Sequence, residues 1–291
     1  MRGGPGTIVW SMTAASRSFR RSASPPPPPP GGSVGALLRE WRQVRRLSQL
    51  DLALRMDVSA RHVSRVESGR AQPSRQMVAR LADALEMPLR ERNALLAAGG
   101  YAREYPERGL DAPEMAEVRR AIDLLVQHHE PYPAFVMNRR WDVLLASQGA
   151  VRMAHYLIGG SRHGNMVLQF CDPEDLRQAV VNWEEVAGDL IRHLHDEIVE
   201  RPGDAQSRAL LERALAYPGM PSRWATRDPG GAPPPVLTVE FRKGGERLRF
   251  FSTITTFGTP RDVTLDELRI ECAFPADEAT AEVCRTLVSG S

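Results

Sequence analysis

The chain has 291 residues, enough for two ordinary domains of ~100–200 residues each, and its 42% hydrophobic and 25% charged content is that of a globular protein. No run approaches the ~18 apolar residues of a membrane span, which excludes a membrane protein and leaves a cytoplasmic location as the expectation. The three scattered cysteines, Cys171, Cys272 and Cys284, exclude a disulfide framework and supply no CxxC pair for zinc, so no metal or cofactor is expected.

The net charge of +2 conceals an asymmetry. Residues 1–33 carry +4, residues 34–100 carry +5, and the remainder carries −7. A basic N-terminal third beside an acidic remainder suits a protein with one polyanion-binding module.

Residues 1–33 combine Arg and Ser clusters, including Arg17, Arg20 and Arg21, with six prolines from Pro25 to Pro30. Such a segment cannot bury a core and is expected to be a disordered tail. From 34 to 98 apolar residues recur at helical spacing between short turn signals, which predicts a small all-α domain. Val34, Leu37, Leu38, Trp41 and Val44 mark one face of its first helix. Ser48 can cap a second helix, with Leu52, Ala53 and Met56 inward, and Ser59 a third, with Val63 and Val66 inward. Asp57 occupies the turn between them, where positive φ is useful. Two further helices open near Pro73-Ser74 and Pro88.

Residues 99–111, GGYAREYPERGLD, read as a linker across which interdomain contacts are expected to be modest. Helix returns over 112–130 with Met115, Val118, Ile122 and Leu125 as its stripe. Beyond it the pattern is mixed. Residues 133–147 predict two strands around Asn138-Arg139, and 148–218 predict helices. Residues 236–257 predict a hairpin turning at Gly244-Gly245, followed by a strand at 268–274 and a short helix after Pro275. This order predicts an α+β domain over 112–288, one sheet covered by helices.

The stretch SQLDLALRMDVSARHVSRVESGR, Ser48 to Arg70, carries the functional signal. Two short helices joined by a tight turn let the second enter a DNA major groove while the first crosses the phosphate backbone. Ala60, Arg61, His62, Ser64 and Arg65 lie on the outward side of the second helix. Arg61 and Arg65 are one turn apart, and a bidentate arginine–guanine pair is the commonest specific base contact. Gln49 at a helix start and Arg70 past Gly69 are placed for phosphates, and Glu67 is expected to make an intradomain ion pair or hydrogen bond. A solvated arginine face on a helical domain would produce the same spacing.

These residues, with Pro73-Ser74 behind them, resemble the helix-turn-helix of the phage-repressor-like XRE class over 37–97. The resemblance implies base reading by Ala60, Arg61 and Arg65, backbone contacts by Ser59, Ser64 and Arg70, and a phosphate or base contact by Gln49. Ser48 and His62 complete the expected DNA-binding set. Residues 112–288 resemble the MmyB-like ligand-binding domain through P(133)AFVMNRRWDVLLAS, N(182)WEEVAGDLIRHL, R(201)PGDAQSRALLERAL, S(222)RWATRD and T(259)PRDVTLDELRIECAFPADEAT. That resemblance implies a PAS-like fold and a small apolar ligand such as a fatty acid.

Phe135, Met137, Trp141, Val143, Trp183, Phe241, Phe250 and Ile254 would supply an apolar lining, although each could equally fill a core. No catalytic residues are expected. His155, His163, Cys171, Asp172, His193 and His195 show neither HExxH spacing nor a nucleophile elbow. The expected protein is a transcriptional regulator, a homodimer on an inverted-repeat operator in double-stranded DNA. The alternative is an antitoxin-like protein whose C-terminal domain binds a protein partner.

Overall fold

Four serines start the first four helices. Ser33, Ser48, Ser59 and Ser74 each accept a hydrogen bond from the backbone N–H three residues on, at 3.1–3.3 Å, satisfying donors that a helix start leaves orphaned. They open α1 (Val34–Val44), α2 (Gln49–Arg55), α3 (Ala60–Glu67) and α4 (Arg75–Ala84), and α5 (Leu89–Ala98) follows Pro88. At Ser48 the cap is reciprocal, because Asp51 accepts from the Ser48 backbone N–H at 2.8 Å. Asp57 has φ 50°, the left-handed turn its position predicts. In this computed structural model residues 32–201, 203–220 and 235–289 are described. Most of the tail, with Arg17, Arg20 and Arg21, and the motif beginning at Ser222 lie outside the described residues.

The five helices enclose a core of Leu38, Trp41, Leu52, Val63, Val66, Leu81, Leu85 and Leu95. Helix α1 crosses α3 at Gly35, where an added Cβ would meet the Glu67 carbonyl oxygen at 2.4 Å and the Val66 carbonyl oxygen at 2.6 Å. Both obstacles are backbone, so any side chain at position 35 must push the two helices apart.

The second domain runs from a 3-10 turn at Pro113–Met115 through α6 (Ala116–His129), β1 (Ala134–Met137), β2 (Val143–Ala146), α7 (Gln148–Ile158), α8 (Met166–Cys171), α9 (Trp183–Glu200) and α10 (Ala205–Leu215). It closes with β3 (Thr238–Lys243), β4 (Glu246–Thr255), α11 (Val263–Asp266), β5 (Arg269–Pro275) and α12 (Glu278–Ser289). The five strands form one antiparallel sheet in the order β2-β1-β5-β4-β3. Both hairpins fall where alternation and glycine predict them, and the chain is an all-α domain followed by a mixed domain of helices and sheet.

Alternation along the strands separates two cores. Val136, Leu145 and Ile270 face α6 with Ile122, Val126 and Leu268. Met137, Phe250 and Ala273 face the opposite way, against Met153, Val167, Phe170, Ile191 and Leu194 of α7–α9. One sequence expectation shifts here: Leu125 is 45% exposed, and Val126 takes the inward place four residues after Ile122.

Residues 99–111 carry no helix, as their composition predicts, yet they are fastened at both ends. The buried Asn93 side chain accepts from the N–H groups of Glu104 and Tyr105 and donates to the Tyr105 carbonyl. Tyr101 donates to the Pro73 carbonyl. Further on, Val263 N–H donates to the Pro106 carbonyl at 2.8 Å, and Arg108 pairs with Asp262.

The contacts between domains are closer than the sequence predicts. Leu89 N–H, at the start of α5, donates to Asp266 at 3.1 Å, and Arg90 grips Glu267 through two hydrogen bonds of 2.7 and 3.0 Å. The reason is electrostatic: the acidic α11 segment meets the positive end of α5 and its first arginine.

Candidate functional site: a nucleic-acid interface and a ligand-binding domain

The helix-turn-helix is held by one buried carboxylate. Glu67, the last residue of α3, accepts from Arg42 Nε at 2.6 Å, Arg42 Nη2 at 3.0 Å and Gln49 Nε2 at 2.8 Å. Helices α1, α2 and α3 are thereby pinned at a single point. Burial alone would raise this carboxyl, but the hydrogen bonds from Arg42 and Gln49 and the charges of Arg42 and Arg39 hold it below the ordinary glutamate range. The ion pair or hydrogen bond expected of Glu67 is thus both.

Structural bonds sort the arginines of the domain. Arg42, Arg45, Arg55, Arg80 and Arg92 are each bonded to groups within it. Arg61, Arg65 and Arg70 are exposed, and among the described residues their guanidinium groups make no hydrogen bond or ion pair. These three cations on and just beyond α3 remain available to an outside acceptor.

The other expected DNA-facing residues are less open. Ala60 packs against the domain core, Ser64 is half-buried, and His62 has its Nε2 buried without a partner. Gln49 spends an amide N–H on Glu67, which leaves its carbonyl and its other N–H for a phosphate or base. Ser48 and Ser59 are exposed, but their oxygens already cap helices. The available surface is therefore centred on Arg61 and Arg65, with Arg70 at its margin.

In the second domain, seven of the eight expected lining residues belong to one apolar cluster. Met137, Trp141, Phe241 and Phe250 are buried, with Phe135, Val143 and Trp183 packed against them. Trp183 donates to the Phe170 carbonyl at 2.6 Å, and the Arg177 guanidinium lies 3.5 Å over its ring. Ile254 departs from the expectation at 51% exposure, because the helical layer covers β4 at Leu248 and Phe250 and stops short of its end. A cavity of about 490 Å³ lies elsewhere, between the β1–β2 turn, the α7–α8 loop and α10. Its walls are mixed, with Arg140, Arg162, His163, Asn165 and Arg213 beside Leu168 and Leu210.

Sequence reading assigned nothing to Glu271. It lies on central strand β5, opposite Phe135 on β1 and Ile254 on β4, and it is half-buried. Burial lifts its carboxyl above the ordinary range even though Ser252 hydrogen-bonds to it. An acidic residue flanked by Ile270 and Cys272 in an alternating strand is a signal that sequence alone could have raised.

The cysteines are poor nucleophiles. Burial pushes the Cys171 thiol up to about 12 and the Cys284 thiol to about 11. His163 contacts Asp172 at 2.7 Å, with the Tyr217 hydroxyl 3.4 Å from the same ring nitrogen. Among the described residues no helix is long and apolar enough to cross a membrane.

Comparison with known proteins fits both halves. Residues 33–95 match a family model described as a helix-turn-helix domain, and residues 118–287 match the MmyB-like transcription regulator ligand binding domain. No curated protein matches the chain. The second match alone spans more than half of the chain, and with the free arginines of α3 it leads to one conclusion: the protein belongs to the MmyB-like transcription regulators, DNA-binding proteins that join a helix-turn-helix to a ligand-binding domain.

Proposed function

We propose that the chain binds an inverted-repeat operator as a homodimer and that a small, largely apolar ligand in the second domain alters its affinity for that operator. The observation that carries the DNA half is the pair of unbonded guanidinium groups of Arg61 and Arg65, one turn apart on α3. One such helix reads only a few base pairs, so specificity calls for two half-sites about 10–10.5 base pairs apart or a multiple of that spacing. Leu124 and Leu125, both exposed on α6, offer apolar surface for a second subunit.

Arg61→Ala and Arg65→Ala are each expected to cost about 1–3 kcal/mol of specific binding and to relax preference at one base position. Footprinting and competition with mutated operators measure both effects. Unchanged selectivity in both variants would remove α3 as the reading element, and protection of one asymmetric half-site would remove the dimer.

Ligand sensing requires different affinities for the free and DNA-bound states, since equal affinity shifts nothing. The apolar cluster around Trp141, Phe241 and Phe250 supports the ligand's being largely apolar. A fatty acid is one member of that class. Operator affinity of the full chain, titrated with apolar amphiphiles, tests the sensing: saturable binding without a change in DNA affinity would make the ligand a structural filling.

A further inference from the structure

Arginines from three separate elements line the cavity of about 490 Å³: Arg140 on the β1–β2 turn, Arg162 on the α7–α8 loop and Arg213 on α10. This is a local reversal of charge, because the chain beyond residue 100 carries a net −7. The one carboxylate among the lining residues, Asp142, is already occupied, since Asn138 and Asn165 each donate to it at 2.9 Å. None of the three guanidinium groups is held by a buried acid. Arg140 lies 3.7 Å from Asp142, beyond hydrogen-bond reach, and Arg162 pairs with Glu174 where both side chains are exposed. Among the described residues no salt bridge includes Arg213, whose polar neighbour is the Tyr217 hydroxyl. An exposed pair such as Arg162–Glu174 is worth only ~0–1 kcal/mol, so a better acceptor can replace it.

The backbone that carries these arginines is fixed. Asp175, fully buried, accepts from the Ser161 hydroxyl at 2.9 Å and from the N–H groups of Arg162 and His163 at 2.7 and 3.1 Å. Asn165 donates to the Arg140 carbonyl at 2.7 Å and so ties the α7–α8 loop to the β1–β2 turn. A bound anion would have to order only the side-chain ends. Leu168 and Leu210 complete the lining with apolar surface, and the volume lies toward the lower end of the ~300–1,000 Å³ usual for small-molecule sites. The occupant is therefore compact. A carboxylate has one charge and two oxygens to set against three guanidinium groups, whereas a phosphate monoester has about two charges and three free acceptor oxygens.

We propose that this cavity is a second ligand site, for a compact phosphate monoester whose phosphate pairs with Arg140, Arg162 and Arg213 and whose small apolar body lies on Leu168 and Leu210. It is separate from the apolar cluster around Phe241 and Phe250, so the domain takes a charged and an apolar ligand independently.

The test uses the full chain, with calorimetry as the readout and phenyl phosphate as the probe. Phenol keeps the ring without the charge, benzoate gives the ring a single charge, and inorganic phosphate keeps the head without the ring. Phenyl phosphate is expected to bind at least about tenfold more tightly than any of the three, and more weakly as salt is raised. Arg140→Gln and Arg213→Gln remove charges whose side chains fasten no other element, and each is expected to weaken phenyl phosphate about fivefold or more. Decanoate is expected not to displace it. Phenol, benzoate or inorganic phosphate binding as tightly as the ester, in the unaltered chain, would overturn the proposal. Ester binding that survives both substitutions would place it elsewhere, the arginines of α3 included, and would overturn it too. Displacement by decanoate would merge the cavity with the apolar site and end its claim to be a second one. Failure of phenyl phosphate to bind would overturn this proposal alone, because the apolar ligand is tested by its own titration.

Discussion

Replacing Glu67 with alanine is expected to cost the DNA-binding domain about 3–5 kcal/mol, most of the stability of a small domain. The Glu67 side chain is fully buried and that of Arg42 only 13% exposed, and removing the acid leaves the guanidinium with the Leu47 carbonyl and little water in place of a carboxylate. Gln49 loses its acceptor in the same step. Thermal unfolding of the full chain should then show an early transition, with operator binding lost across it. The pH dependence has a definite sign. The folded carboxyl is held below its unfolded value, so its contribution is fully present above the ordinary glutamate range. It is lost as the pH falls through the lower, folded value. Early acid unfolding of the first domain should therefore be absent from Glu67→Gln, whose stability is already low at neutral pH; an unchanged acid midpoint in that variant would contradict the assignment.

The second large effect is expected at Arg139. Its side chain is only 8% exposed, with Nη1 2.8 Å from Asp204 and Nε 3.3 Å from Glu267. Glu267 in turn holds Arg90 of α5, so one chain of charges runs from the start of α10 through the β1–β2 turn to the DNA-binding domain. Arg139→Ala leaves two buried carboxylates without their shared cation, and a loss of about 3–5 kcal/mol is expected. At ~2–4 °C per kcal/mol for a domain of this size, the melting temperature should fall by roughly 6–20 °C. Arg90→Ala is the informative companion, since Arg90 is one-third exposed and its removal should cost much less. If this seam transmits ligand occupancy, Arg90→Ala should keep both binding activities while the ligand's effect on operator affinity shrinks. Full coupling in that variant would place the transmission elsewhere.

Much of the fold could be read from local chemistry. Caps at Ser48 and Ser59, the left-handed turn at Asp57 and the glycine turn at Gly244-Gly245 all act within a few residues, so sequence order and spatial order coincide. What could not be read depends on partners far apart in the chain. Arg90 and Glu267 are separated by 177 positions, and nothing near either residue announces the other. The same distinction applies to the sites. Arg61 and Arg65 follow from helical spacing, but the fact that their neighbours Arg42 and Arg55 are bonded inward needed the fold. Ile254 fits the apolar pattern of β4 and lies beyond the helices that cover Phe250. Glu271 went unnoticed because its significance lies in the strands on either side.

The strand order has a consequence for synthesis. The central strand, β5, is the last one made, and it must enter between β1 and β4, strands that cannot otherwise join into one sheet. The helix-turn-helix is complete once its five helices have left the ribosome, and domains generally fold as they emerge. During translation the chain therefore passes through a period in which its DNA-binding domain is folded and its ligand-binding domain is an open pair of half-sheets. A chain that stops before residue 269 would remain in that state, able to find an operator but with no closed domain through which a ligand could act on it.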